Sequence, residues 1–523
     1  MSQHSTSGHL FDSLRAGFPP NPSQPCIVEP DGTTLTYADL LARSQQMAAC
    51  LRALGVRPGD RVAAQVEKSA WALMLYLGCL RAGGIYVPLN TAYTPAEIAY
   101  FLGDAEPAVF VCSSDRRDRL AAAGALTAAP RIETLDAQGS GSLVAQAKAV
   151  AANAAADVPR QADDLAAILY TSGTTGRSKG AMLSHGNLAS NARTLATAWR
   201  FSASDRLLHA LPIFHTHGLF VATNITLLAG ASMILLPQFQ VDEVIRHLPQ
   251  ATVMMGVPTF YTRLLADPRL TRTLVARMRL FIAGSAPLSA ETFKEFRERT
   301  GHAILERYGM TETNMNTSNP YDGERLPGSC GRPLPGVDIR ISDPESGRPL
   351  PTGEIGMIEI RGPNVFKGYW RMPEKTATEF RDDGYFISGD LGRFDESGYL
   401  YIVGRAKDLI ISGGYNVYPK EVEAALEAIP GIADAAVIGV PHHDFGEGVV
   451  AVVTRAGRAT LDEKAVLTAL ADQLANYKLP KRVVFVDALP LNTMGKIQKN
   501  ALRERYAAIF QSARTEPLKP GVR

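Results

Sequence analysis

Apolar residues recur at helical spacing from Tyr37 to Leu51 and again from Ala70 to Ala82, which predicts two helices. Arg61–Val66 and Pro107–Cys112 are short apolar runs with the length and composition of strands. Such alternation implies mostly parallel sheets covered by helices. Between Gly336 and Tyr401 the pattern changes to short β-like runs, such as Gly356–Arg361 and Gly398–Val403, punctuated by Gly and Pro. A small β subdomain is expected there. Beyond Lys407 it changes again. Pro419–Ala428 reads as a helix opened by proline, Ala435–Val440 and Val449–Val453 as strands, about 461–474 as a helix and Arg482–Val486 as a strand. The fold class expected is therefore α/β. A large N-terminal domain, residues 1–406, precedes a small mobile α+β domain, residues 407–523, of which 511–523 reads as a disordered tail. Residues 141–160 are Ala-rich and weakly patterned, a surface helix or connector.

At 523 residues the chain exceeds what one hydrophobic core supports, in keeping with two domains. Hydrophobic residues make up 46% and charged ones 20%, ordinary for a globular enzyme, and the net charge of +2 comes with no basic block. Nucleic acid and anionic membrane surfaces are thus not expected partners. Five cysteines, Cys26, Cys50, Cys79, Cys112 and Cys330, are scattered without CxxC spacing, which argues for small core residues and a reducing compartment. The start has no cationic, apolar leader pattern. Leu207–Val241 lacks charged side chains but is broken by Pro212, His209, His215, His217 and Asn224, so it reads as a buried strand–loop–helix rather than a membrane span. A cytoplasmic location is expected.

The densest chemistry lies in Tyr170-Thr-Ser-Gly-Thr-Thr-Gly-Arg-Ser-Lys-Gly180. Its glycines let the backbone approach an anion. Thr171, Ser172, Thr174 and Thr175 offer hydroxyls, and Arg177 and Lys179 add positive charge. The buried run Ala166–Tyr170 before it would supply a rigid edge. The pattern is that of a loop for the phosphates of ATP, yet it is not a Walker loop, because Ser178 stands where the second glycine belongs. Taken alone, a Gly/Ser/Thr surface turn explains it equally well.

Further segments follow: Glu306-Arg-Tyr-Gly-Met-Thr-Glu-Thr313, Ser388-Gly-Asp390, Gly404-Arg-Ala-Lys-Asp408, Ser412-Gly-Gly-Tyr-Asn-Val-Tyr-Pro419 and Thr493-Met-Gly-Lys-Ile-Gln-Lys499. Together and in this order they resemble the adenylate-forming superfamily of acyl-CoA synthetases, luciferases and peptide-synthetase adenylation domains, over nearly the whole chain. The resemblance implies ATP, Mg²⁺ and CoA as cofactor and co-substrates. Attack of a carboxylate on the α-phosphate turns a poor leaving group into AMP, through a strongly anionic transition state that needs preorganised cations and donors. By resemblance, Thr171, Ser172, Gly173, Thr174, Thr175, Gly176 and Lys179 would hold phosphates. Glu312, with Thr171, would bind Mg²⁺, and Thr311 would contact the α-phosphate. Gly284, Ser285, Ala286, Tyr308 and Gly309 would frame the adenine, with Asp390 and Arg405 at the ribose. Lys496 would reach the reacting oxygens during adenylation. Lys407 would be the hinge, and Ser412, Gly413 and Gly414 would line the CoA path.

The acid pocket should draw on His217, Arg263, Ser285 and Met310. A guanidinium facing a pocket needs a partner, and a second carboxylate on the substrate would supply one, held bidentately; alternatively Arg263 is a helix-surface cation near Asp267. The run from Glu306 to Gly323, with Arg307 before the tyrosine, looks more like malonyl-CoA synthetases than fatty-acid or coumarate ligases. A malonate–CoA ligase acting through a malonyl-adenylate, tolerant of methylmalonate, is therefore expected, as monomer or homodimer with small-molecule partners only. Two alternatives stand: a short- or medium-chain fatty acid or aryl acid CoA ligase, and an adenylation protein that loads a carrier protein. A third, a binding protein with a dead ATP site, is opposed by the presence of Lys179, Glu312, Asp390, Arg405 and Lys496.

Overall fold

The computed structural model describes residues 8–129, 131–151, 156–171, 178–413, 415–457, 459–471, 473–492 and 496–510. Two compact units result: one comprises the chain up to Ile339 together with Ile360–Phe386, the other Arg340–Glu359 and the chain from Ile387.

The first unit holds two large sheets. In the nine-stranded sheet, Leu305–Met310, Leu280–Ala283, Val253–Gly256, Arg206–His209, Ser232–Leu235 and Pro25–Val28 lie side by side and parallel. Antiparallel strands close its edges: Asn314–Ser318 and Arg332–Pro333 at one end, Thr34–Thr36 at the other. The six-stranded sheet runs Ile132–Thr134, Val109–Cys112, Arg61–Gln65, Ile85–Pro88, Leu165–Thr171, and then the antiparallel Lys179–Ser184. Its central strands are buried on both faces, which is why they read as continuous apolar runs rather than alternating ones.

The helices predicted from spacing form as Tyr37–Ala53 and Ala70–Arg81. Thr36 and Asp39 make a capping box at the start of the first, and Ser69 caps the second. Every residue of Ala70–Arg81 is buried. Leu207–Val241 is more elaborate than a strand–loop–helix: a π-helix, His217–Thr223, runs into Asn224–Leu228, and a second strand, Ser232–Leu235, follows. Cys26, Cys50, Cys79 and Cys112 are buried thiols, and Cys330 is partly exposed; all are unpaired.

In the second unit, five strands form a sheet built on the long pair Ile432–His442 and Gly446–Arg455. Alternate residues feed opposite cores: Ala435, Val437, Ala451 and Val453 on one face, Ala436, Ile438, Val450 and Val452 on the other. Phe386–Phe394 and Leu400–Arg405 pair antiparallel within a four-stranded sheet that realises the β subdomain.

One buried ion pair pins the amino ends of three central strands of the nine-stranded sheet. Asp205, just before Arg206–His209, receives Arg279 through Nε and Nη2 at 2.7 Å each, Thr252 Oγ1 at 2.8 Å and the Ser202 N–H at 2.9 Å. Burial raises its pKa, but these donors outweigh it and the net shift is downward. Removing one partner of such a pair costs about 3–5 kcal/mol. Asp205→Ala should therefore lower the urea-unfolding free energy by about 3–5 kcal/mol at neutral pH. Because the folded pKa lies below the unfolded one, this stabilisation is fully present above the ordinary carboxylate range. It is lost as pH falls through the folded value, so the gap between wild type and variant should narrow in acid.

Candidate active site

In the first unit the parallel strands of the nine-stranded sheet deliver their carboxyl ends to one edge, the place where ligands bind in open α/β sheets. His209, Gly256, Ala283 and Met310 end successive strands there.

Ser285 follows the strand Leu280–Ala283 with φ of +71°, a left-handed conformation unusual for a side-chain-bearing residue and common where function holds the backbone. Its Oγ lies 3.3 Å from His217 Nδ1. His217 opens the π-helix, a form frequent at functional sites, and is buried, its Nε2 without a hydrogen-bond partner among the described residues. Burial, then the neighbouring Arg307, His215 and His209, hold its pKa well below 6.5.

Arg307 is the residue that sequence spacing did not single out as part of the site. It sits within Leu305–Met310, is 4% exposed, and its Nε and Nη2 have no hydrogen-bond partner among the described residues. Burial pulls its pKa down to about 9, so it remains a cation at neutral pH. A Cβ at Gly284 would come within 2.5 Å of its Cζ, so the glycine leaves room for the guanidinium. Lys68, buried after the strand Arg61–Gln65, adds a second unforeseen basic group, whose pKa burial pulls well below 10.5. Its Nζ lies 2.9 Å from His209 Nδ1 and donates to His209 O at 2.6 Å, while His209 Nε2 faces Gly218 O at 3.0 Å. Among the described residues, none of Lys68, His209, His217 and Arg307 is hydrogen-bonded or ion-paired to a carboxylate, so the Arg307 cation is buried among basic side chains without a counter-ion. Arg263 is on the helix Pro258–Leu265, in its last turn and exposed, with no ion pair among the described residues; nearby Asp267 is taken by Arg269.

Thr311, Glu312 and Thr313 make the tight turn between Leu305–Met310 and Asn314–Ser318. Gly309 is needed at the bulge before it, since a Cβ would lie 2.0 Å from Asn314 O. Glu312 is buried and accepts the Tyr369 hydroxyl on Oε1 at 3.0 Å. Lys179 begins the strand opposite Thr171, its Nζ 4.1 Å from the Tyr369 ring centroid and 3.5 Å from Glu379 Oε1. Tyr308 is buried, and Met310 is partly exposed. Ser172, Gly173, Thr174, Thr175, Gly176 and Arg177 lie outside the described residues. The donors present near Glu312 are carboxylate and hydroxyl oxygens, the hard ligands that suit Mg²⁺.

In the second unit Asp390 and Arg405 are direct partners across paired strands, with Arg405 Nε 2.6 Å from Asp390 Oδ1. Lys407 lies in the short turn Ala406–Asp408, where burial lowers its pKa, and Asp408 is held by Arg503 at 2.6 Å. Ser412 ends the strand Ile410–Ser412 and Gly413, φ +59°, lies in the turn before Tyr415–Val417; Gly414 lies outside the described residues. Lys496 is exposed, its backbone paired with Asn492, whereas Lys499 is tied to Glu423 at 2.6 Å.

The architecture and these segments define a nucleotide-activating ligase. The AMP-binding enzyme profile matches residues 18–370, and that of the AMP-binding enzyme C-terminal domain matches 421–496. The chain belongs to the AMP-binding enzyme family and is an acyl-CoA ligase, a class whose co-substrates are ATP and CoA. It is similar to ATP-bound MatB from Rhodopseudomonas palustris, with 60% identity, 96% of this chain and 100% of that one covered, and a TM-score of 0.94. A feruloyl-CoA synthase from an Amycolatopsis species is 40% identical, covering 91% of this chain and 94% of its own. A malonate–CoA ligase of Arabidopsis thaliana is 32% identical, covering 96% and 90%. Among the described residues, no helix is long and apolar enough to cross a membrane.

His217 and His209, both buried with pKa values well below 6.5, should remain neutral throughout the physiological range. In ¹⁵N-histidine NMR their ring signals should stay put from about pH 8 to about pH 6, where an unperturbed imidazole would protonate. A His217 signal that moves in that window would contradict the described burial.

Proposed function

We propose that this chain is a malonate–CoA ligase, converting malonate, ATP and CoA to malonyl-CoA, AMP and pyrophosphate, in the cytoplasm. One observation carries the reading: the Arg307 guanidinium is buried beside His217 and Ser285 without a counter-ion among the described residues. A pocket for a feruloyl or fatty acyl chain would leave that charge uncompensated, at a cost of several kcal/mol. The distal carboxylate of a dicarboxylic acid neutralises it. Arg263, exposed and without an ion pair among the described residues, is the other candidate guanidinium for that carboxylate. The Arabidopsis malonate–CoA ligase supports this reading. The 40% identical feruloyl-CoA synthase favours an aryl acid ligase as the second one.

In the proposed reaction the proximal carboxylate oxygen attacks the α-phosphorus of ATP, and the bond to the pyrophosphate oxygen breaks. Lys179 and the hydroxyls from Thr171 to Thr175 hold the β- and γ-phosphates, and Thr311 donates to the α-phosphate. Gly284–Ala286, Tyr308 and Gly309 frame the base; Asp390 and Arg405 take the ribose. Glu312 and Thr171 would hold Mg²⁺, which when bound neutralises phosphate charge. Lys496 supplies a compact positive charge between carboxylate and phosphate oxygens in this step only. For the second step Lys407 would be the hinge, and Ser412, Gly413 and Gly414 would line the CoA path. The CoA thiolate attacks the acyl carbon, and AMP leaves.

Pyrophosphate release should be measured with malonate, methylmalonate, acetate, octanoate and 4-coumarate. Wild type should prefer malonate, with methylmalonate discriminated only weakly because one methyl group is worth about 1–3 kcal/mol. Arg307→Ala should lose about 100-fold or more in kcat/KM for malonate, as expected when a buried charge pair is broken, and Arg263→Ala less. A wild type that prefers octanoate or 4-coumarate overturns the malonate assignment.

A further inference from the structure

Tyr369 has no assigned part in the reaction, yet it touches both charges that the ATP half-reaction needs. Its hydroxyl donates to Glu312 Oε1 at 3.0 Å, and its ring centroid lies 4.1 Å from Lys179 Nζ. The backbone around it explains how one side chain reaches both. Phe366 N–H donates to Glu312 O at 2.7 Å, anchoring one end of the segment to the Thr311–Thr313 turn. The rest zips onto the strand Lys179–Ser184: Lys367 N–H to Met182 O at 2.8 Å, Met182 N–H to Gly368 O at 2.9 Å and Trp370 N–H to Gly180 O at 2.7 Å. Tyr369 N–H donates to Thr376 Oγ1 at 2.9 Å. The ring is therefore fixed by strand pairing and burial rather than by a flexible loop.

Lys179 has a second contact, Glu379 Oε1 at 3.5 Å, longer than a strong charge-assisted hydrogen bond. Glu379 does not depend on it, because Lys375 Nζ approaches the same oxygen at 2.6 Å. Lys179 can thus leave without stranding a carboxylate, whereas an aromatic face holds a cation without competing for its hydrogens as a phosphate would.

We propose that Tyr369 is a positioning residue of the nucleotide site, holding Lys179 and Glu312 at opposite parts of one ring, with Glu379 as the counter-ion that Lys179 exchanges for the triphosphate. This rests on the roles given above to Lys179 and Glu312. The hydroxyl orients the Glu312 carboxylate, the ring keeps Lys179 in place, and Glu379 competes with phosphate for the ammonium.

The test is ATP binding by titration calorimetry, in EDTA and across Mg²⁺ concentrations, for Tyr369→Phe, Tyr369→Leu and Glu379→Gln. Glu379→Gln should tighten Mg²⁺-free binding by roughly threefold, the size of a lost weak ion-pair competitor. Tyr369→Phe should leave Mg²⁺-free binding unchanged but raise the half-saturating Mg²⁺ about tenfold, the usual penalty for losing a metal ligand's outer partner. Tyr369→Leu should weaken binding with and without Mg²⁺. Should Tyr369→Leu not fold, the other two decide. The proposal is overturned if Glu379→Gln binds ATP no tighter than wild type, or if Tyr369→Phe keeps the wild-type Mg²⁺ requirement. Lys179→Ala and Glu312→Gln separate the two levels. If they too leave ATP binding and Mg²⁺ dependence intact, the nucleotide roles themselves fail. If they show their losses while the Tyr369 and Glu379 variants match wild type, only the coupling fails.

Discussion

Parallel pairing is the constraint on which the first unit depends. A strand that lies parallel to its neighbour must return through a crossover, so successive strands present their carboxyl ends on the same edge. Six strands of the nine-stranded sheet obey this, and the segments after His209, Gly256, Ala283 and Met310 consequently emerge together. Residues nearly a hundred positions apart, from His217 to Arg307, meet there without any local signal for it. The Asp205–Arg279 pair works at the opposite ends of the same strands. Stability and chemistry are in this way assigned to different edges of one sheet.

A guanidinium taken out of water with two donors unpaired is a cost to folding. Arg307 carries that cost among His217, His209 and Lys68, none of which offers a negative charge. Proteins tolerate such conflicts where a ligand relieves them. In the proposed reaction a dianionic acid supplies the missing charge, so an unfavourable burial in the free protein becomes a means of discrimination on binding. Lys179 is treated differently. Its charge rests on a ring face and a distant carboxylate, contacts weak enough to be exchanged for phosphate.

Secondary structure was largely legible. Helices at Tyr37, Ala70 and Pro419 and strands at Arg61, Arg482 and Gly356 form within a few residues of the predicted bounds, because their periodicity and caps agree with their burial. Leu207–Val241 was less so. An uncharged stretch announces burial but not its form, and neither the π-helix nor the strand Ser232–Leu235 has a period of its own to announce it. Arg307 lies in a segment noticed only as part of a motif, and a charged residue inside a strand is ordinarily assigned to solvent. Its burial follows from the packing of Leu305–Met310 between neighbouring strands.

The sequence by itself determined the class of protein, since spaced glycines, hydroxyls, cations and carboxylates in a fixed order are a linear record of ATP chemistry. Which charges are buried together was decided only by tertiary structure. Desolvation depends on every neighbour a side chain meets, and those neighbours come from strands and helices far apart in the chain. Arg263, prominent by position, is exposed, whereas Arg307, Lys68 and Tyr369 acquire their settings from contacts that no local pattern encodes.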